Sequence, residues 1–174
     1  MEDPKLENIT EHPKWEPRTG KIKKGDIHSA IGEVMRRVGI VTGTGHNKHF
    51  NFRFASEHDL LMAVQPAFAE FGISISRPEA EIQRYERIEI MRYGNVSNHT
   101  WHCLMWIKYR LVLSKRYAKK GADRAVEHKC YGAGEDNADK AIAKAQTMAF
   151  KYLLRQALGI PTGDDPDESK NSRG

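Results

Sequence analysis

The chain has 174 residues, 39% of them hydrophobic and 29% charged, with a formal net charge of +5. That length supports one cored domain without staples, and no apolar run approaches the roughly 20 residues of a membrane span. Two cysteines, Cys103 and Cys130, exclude a disulfide scaffold and point to a reducing cytoplasm. The charge is unevenly spread. Residues 26–163 carry twenty Lys/Arg against fourteen Asp/Glu, whereas residues 164–174 carry two against four. A basic body with an acidic end suits a polyanion binder, and it also suits many ordinary soluble proteins.

Residues 1–25 hold scattered charges, several prolines and few apolar groups, and read as a flexible arm with no secretory h-region. Trp15 is the exception, either docking onto a partner or packing on its own domain. Asp26 caps a first helix to about Val38, with Ile27, Ala30, Ile31, Val34 and Val38 on one side. The loop Gly39 to His49 contains Gly43-Thr44-Gly45-His46-Asn47-Lys48. No Gly-Lys-Ser/Thr follows it anywhere, so ATP binding by a phosphate loop is excluded. His46, Lys48, His49 and Arg53 can still meet phosphate. Ser56 with Asp59 forms a capping box opening a second helix to about Phe71. Leu60, Leu61, Val64, Phe68 and Phe71 form its buried side, and Pro66 is expected to kink or divide it.

From Ile73 the period changes to two. A first strand begins at Ile73 and Ile75 and resumes after Pro78 over Ile82–Ile90, with a hairpin turn from Tyr93-Gly94-Asn95 to His99. The second strand, Trp101 to Lys115, has one apolar face: Trp101, Cys103, Met105, Ile107, Tyr109, Leu111 and Leu113. The other carries His102, Leu104, Trp106, Lys108, Arg110, Val112, Ser114 and Arg116. A basic turn, Lys115 to Gly121, leads to a third strand near Ala125–Tyr131. The order helix, helix, antiparallel β-meander of about three strands, long helix predicts an α+β domain.

The last helix is expected from about Asn137 to Leu158. Asp136 and Asp139 offer caps, and Gly159 followed by Pro161 stops it. At 100° per residue, Ala138, Ile142, Ala145, Ala149, Tyr152, Leu153 and Gln156 make a stripe to be buried. Lys140, Lys144, Thr147, Lys151 and Arg155 fall in one opposite band, roughly 22 Å long at 1.5 Å per residue. Acids at i, i+4 that would partner these cations are missing. The band is either a solvated face or a track for a phosphate backbone. Lys108, Arg110 and Arg116 beside Trp106 pose the same choice on the second strand: charge plus a stacking surface, or an ordinary exposed sheet face.

Two separated segments carry a family resemblance. The first is Phe50-Asn51-Phe52-Arg53-Phe54-Ala55-Ser56, with the Pro66 helix and the Phe71-Gly72 turn. The second combines Asp139-Lys140, Lys144-Ala145, Phe150-Lys151-Tyr152 and Ile160-Pro161-Thr162, ending in an acidic run. In this order they resemble the core domain of the Erf (essential recombination function) family of phage and prophage single-strand annealing proteins. The likeness covers roughly residues 26–168 and is loosest between 84 and 124, where residues 84–100 look longer than the usual hairpin. It implies a β-β-β-α core similar to that of ring-forming annealing proteins, with 1–25 as an arm, 26–163 as the core and 164–174 as an acidic tail. Single-stranded DNA would lie in a groove between the sheet and the basic helix. Lys140, Lys144, Lys151 and Arg155 would form one wall, Lys108, Arg110 and Trp106 the other, and Lys115, Arg116 and Lys119 the rim, with Lys48 and Arg53 nearby. The resemblance further implies ATP-independent annealing without a cofactor, assembly into a ring or filament, and partners such as a single-strand binding protein or an exonuclease.

Other classes fit less well. A coating protein without annealing shares every one of these features. Zinc binding by His102, Cys103, His128, Cys130 or His46-x-x-His49 lacks a Cys-x-x-Cys or His-Glu-x-x-His spacing. A metal-dependent nuclease needs clustered acids, and the acids here stand at helix starts or in the tail.

Overall fold

A computed structural model describes residues 23–47, 52–92 and 95–161. Trp15 and the acidic run 164–174 therefore lie outside the described residues, as do Lys48, His49 and the Tyr93-Gly94 turn. Helix α1 (Ile27–Val38) starts where Asp26 accepts a 2.7 Å bond from the Ser29 amide. Two short strands, β1 (Gly45–Asn47) and β2 (Phe52–Phe54), pair antiparallel within the expected loop. Helix α2 (Glu57–Phe71) opens on the Ser56/Asp59 capping box and closes on left-handed Gly72. It runs through Pro66 as one helix, so Pro66 does not divide it.

Strands β3 (Ile73–Arg92), β4 (Asn95–Leu113) and β5 (Ala125–Asp136) form one antiparallel sheet in the order β3-β4-β5. The interruption at Pro78 is a bulge rather than a break. Arg77 and Pro78 fall between the pairs Ser76↔Arg110 and Glu79↔Lys108, and Pro78 has no N–H to give to a ladder. Asn95–His99 already belong to β4, and β5 continues five residues past its expected end. Because Asp136 pairs with Trp101, β5 stops there. Beyond it the β3–β4 hairpin projects as a two-stranded arm, the physical form of the long 84–100 segment.

Helix α3 (Ala141–Ala157) begins four residues later than the pattern suggests. Asp136 caps the turn before it instead, its Oδ1 accepting from Ala138 N at 2.9 Å. The buried face is Ala141, Ala145, Ala149, Leu153 and Leu154, while Ala138 and Gln156 are exposed. These small residues let α3 lie close on Cys103, Met105, Ile107, Tyr109 and Cys130. A second cluster joins α1, α2 and the end of α3 to Leu111 and Leu113. All three helices thus cover the face of β4 that the period-two pattern marks as apolar. The other sheet face is open, as antiparallel sheets allow.

Candidate nucleic-acid interface

Helix α3 sits mainly over β5 and β4, so the inner face of β3 is left uncovered beside it. Residues directly opposite across an antiparallel pair share a face. Ala80 opposes Ile107, Ile82 opposes Met105, Tyr85 opposes Cys103 and Arg87 opposes Trp101, which puts all four on the helix side. The result is a groove of about 620 Å³. Its floor includes Ile75, Ala80, Ile107 and Tyr109, and its helical wall is Ala143, Gln146, Thr147 and Phe150. Glu57 also lines it.

Further along the same face, Ile82 is 49% exposed and Tyr85 44% exposed. Tyr85 stacks on Trp101 with ring centroids 5.1 Å apart and planes 14° from parallel. Burial raises the Tyr109 phenol to about 12, with Cys130 and Glu57 adding to it, so the floor is neutral at any ordinary pH. Burial likewise pushes both cysteine thiols up, which makes them poor nucleophiles and metal ligands. Among the described residues no cluster of three or more His, Cys, Asp or Glu could hold a metal.

An apolar, partly aromatic groove along a helix that carries cations is a surface on which bases can stack beside phosphates. The model of the ERF superfamily matches residues 27–173. The chain belongs to the ERF superfamily. No curated protein matches it.

In this ERF chain the predicted cations divide between two faces. Lys108, Arg110 and Trp106 alternate with the buried residues of β4 and point away from α3. The expected groove with these residues as its second wall does not form, because strand alternation puts them on the opposite side of the sheet. Their face is also rich in acid. Lys108 pairs with Glu127 at 2.9 Å, and Arg84 pairs with Glu86 at 2.8 Å. By register, Glu79, Glu81, Glu86, Glu127 and Glu135 share it with Arg84, Lys108, Arg110 and Lys129. Trp106 meets the Tyr131 ring edge-on at 4.9 Å, with the Lys129 ammonium 5.1 Å from its centroid. Its stacking surface is taken up within the protein.

The α3 band is likewise not uniform. Thr147 lines the groove, and Lys140 and Arg155 are exposed. Lys144 does have an acid partner, one in space rather than at i, i+4: its Nζ lies 2.6 Å from Asp136 and donates to the Glu135 carbonyl at 2.7 Å. Lys151 is half-buried, its ammonium 5.4 Å from the centroid of the Phe54 ring. Burial first, then Arg155, lowers its pKa below the ordinary lysine range. Arg53 stands in β2 opposite His46. The turn cations Lys115, Arg116 and Lys119 are exposed, and none of them lines the groove.

The groove residues Ala80, Ile82 and Tyr85 were legible only in part. Period two puts Ala80 and Ile82 on one side of β3 and Tyr85 on the other, and it does not show that α3 would leave a side open. The Tyr85–Trp101 stack depends on the bulge at Gln83, between Ile82↔Met105 and Arg84↔Leu104, and no residue type announces such a slip.

Proposed function

We propose that this ERF-superfamily chain binds single-stranded DNA along the α3–β3 groove and anneals complementary strands without ATP. The observation that carries this reading is the open groove, continued along the same sheet face by the Tyr85–Trp101 stack and bordered by α3, which carries Lys151 and Arg155 with Lys140 at its N-cap. Base faces rest on the aromatic and apolar strand side, where each stacked base is worth about 1–3 kcal/mol. Phosphates turn toward the helix, where lysine and arginine replace condensed counterions. Watson–Crick edges are left free. Two strands held in this way meet with their mutual repulsion lowered, and pairing follows without any bond being broken.

Membership of the superfamily favours recombination as the setting, in a bacterial host cytoplasm, with the protein acting as a ring or filament of copies. Phage or host single-strand binding proteins and exonucleases are the partners that such a role supplies. Among the described residues no helix is long and apolar enough to cross a membrane.

The test is pairing of two complementary dye-labelled strands, without ATP or metal, by the native chain and by Tyr85→Ala and Lys140→Glu/Arg155→Glu. Acceleration by the native chain that both variants lose, with folding intact, supports the reading. Binding without acceleration leaves a coating protein, and no binding at low salt removes nucleic acid altogether.

A further inference from the structure

We propose that the corner where the chain enters the domain is a second phosphate-backbone site, built from Lys23, Lys24, Lys115, Arg116, Lys119 and Lys120. Two basic runs about ninety residues apart in sequence meet here through a parallel bridge between Gly25 and Ala118. The Gly25 amide donates to the Tyr117 carbonyl at 3.0 Å, and the Lys119 amide donates to the Gly25 carbonyl at 2.8 Å. Backbone bonds, not the cations, hold the runs together. The like charges are therefore brought side by side at a cost that a bound polyanion would relieve.

All six side chains are exposed, and among the described residues none of the six makes an ion pair. Two of the acids nearby are already engaged. Asp26 accepts from Ser29 as the α1 cap, and Glu33 pairs with Arg36. Asp123 gives its backbone carbonyl to the Ile27 amide, which leaves its exposed side chain as an opposing charge beside the corner. Between the runs lies a hollow of about 200 Å³ lined by the cations Lys23, Lys24 and Lys119, by Ser29 and the acid Glu33, and by the apolar Phe71 and Leu113. No open aromatic surface is offered: the Tyr117 ring is half-buried, with the Arg116 guanidinium 5.7 Å from its centroid. The site has charge and hydrogen-bond donors but nothing for a base, so it reads phosphates alone.

It is also separate from the groove. No residue lines both, although Ile75 of the groove floor opposes Leu111, only two residues, about 7 Å, along β4 from Leu113 at the hollow. Choosing a polynucleotide over other polyanions rests on the single-strand reading above.

A labelled abasic deoxyribose-phosphate strand cannot stack and leaves only phosphate contacts, among which substitutions at the corner single out this site. Its affinity is measured against salt for the native chain, Lys23→Gln/Lys24→Gln, Lys119→Gln/Lys120→Gln and Tyr85→Ala, with thermal melting as the folding control. The log–log salt slope is expected to shrink by about 1.4 in each lysine pair, two contacts at about 0.7 each, and to hold in Tyr85→Ala. Unchanged slopes in both lysine pairs, or an equal loss in Tyr85→Ala, overturn the proposal. So does preferential binding of anionic phospholipid vesicles, which would make the corner a lipid site. A native chain that binds ordinary single strands but not the abasic one overturns this inference alone. One that binds the abasic strand through the corner yet never accelerates pairing overturns the annealing reading alone.

Discussion

A Cβ on Gly134 would stand 2.1 Å from the carbonyl oxygen of Ala141, and one on Gly132 would stand 2.1 Å from that of Ala145. Two glycines in mid-strand, facing alanines one helical turn apart, let α3 lie directly on the backbone of β5. That close approach fixes where α3 sits, and hence how much of β3 stays uncovered. Overpacking a core typically costs about 1–3 kcal/mol, and backbone atoms cannot rotate aside as a side chain can. Gly132→Val and Gly134→Val are expected to lose about 3 kcal/mol or more in chemical denaturation. Gly32→Ala is the control: nothing lies within 4 Å of the added carbon in α1, and it is expected to gain up to about 1 kcal/mol.

Asp59 ties the β1 loop to α2. The carboxylate is fully buried, which by itself raises its pKa, yet it accepts from Thr44 Oγ1 at 2.7 Å, Thr44 N at 3.1 Å, and Ser56 N and Oγ at 2.8 Å each. These bonds outweigh burial and bring the pKa down to about 2. A depressed acid contributes stability above its unfolded value near 3.8 and loses it as pH falls toward 2. Asp59→Asn is expected to cost about 2–3 kcal/mol at neutral pH and to flatten the stability profile between those two values. Denaturation midpoints across that pH range check both.

His128 stands on the core face opposite Tyr109, near Cys130 and His28, and its Nε2 is buried without a hydrogen-bond partner. Burial first, then His28, lowers its pKa. The folded ring therefore resists a proton that the unfolded ring accepts near pH 6.5. More protons on the unfolded chain mean that stability falls as pH drops through about 6.5. Melting temperature is expected to decline between about pH 7.5 and 5.5, and His128→Leu is expected to remove most of that decline. An unchanged slope in the variant would assign the loss to other groups.

The helices and the three long strands were readable because each carries a local signal, whereas the short β1–β2 pair inside the expected loop was not. Asp26 and Ser56/Asp59 mark helix starts, and the alternation from Trp101 to Leu113 marks a strand with one buried face. Even the open face of the sheet follows from that alternation, since Lys108 and Arg110 cannot point the same way as Tyr109. What stayed hidden were the relations between elements. Gly132 and Gly134 resemble a strand end until α3 is laid across them. Lys144 seems unpartnered until the chain turns at Asp136 and brings that carboxylate back to it. Lys23 and Lys24 belong to an arm in sequence and to the Lys115–Lys120 turn in space.

Lys144 is therefore expected to matter less for DNA than its place in the band suggests. Its charge is already met by Asp136, whose own pKa is lowered by the Lys144 hydrogen bond and then by the Ala138 amide. Lys144→Gln is expected to change the salt slope of single-strand binding by well under the roughly 0.7 per lost phosphate contact, whereas Arg155→Gln should approach that value. A full-sized change in Lys144→Gln would mean that the lysine leaves Asp136 to meet the strand.

Lys151 offers a pH signature instead. Its lowered pKa means that it discharges at a pH where an ordinary lysine still holds its proton, and a neutral amine neither attracts phosphate nor favours the Phe54 ring. Single-strand affinity is expected to weaken as pH rises toward that range, before exposed lysines titrate. Lys151→Arg keeps its charge throughout, so its affinity should stay flat over the same interval. Parallel titrations at fixed ionic strength decide the matter: if both proteins weaken together, Lys151 is not a phosphate contact, and the helix wall rests on Lys140 and Arg155.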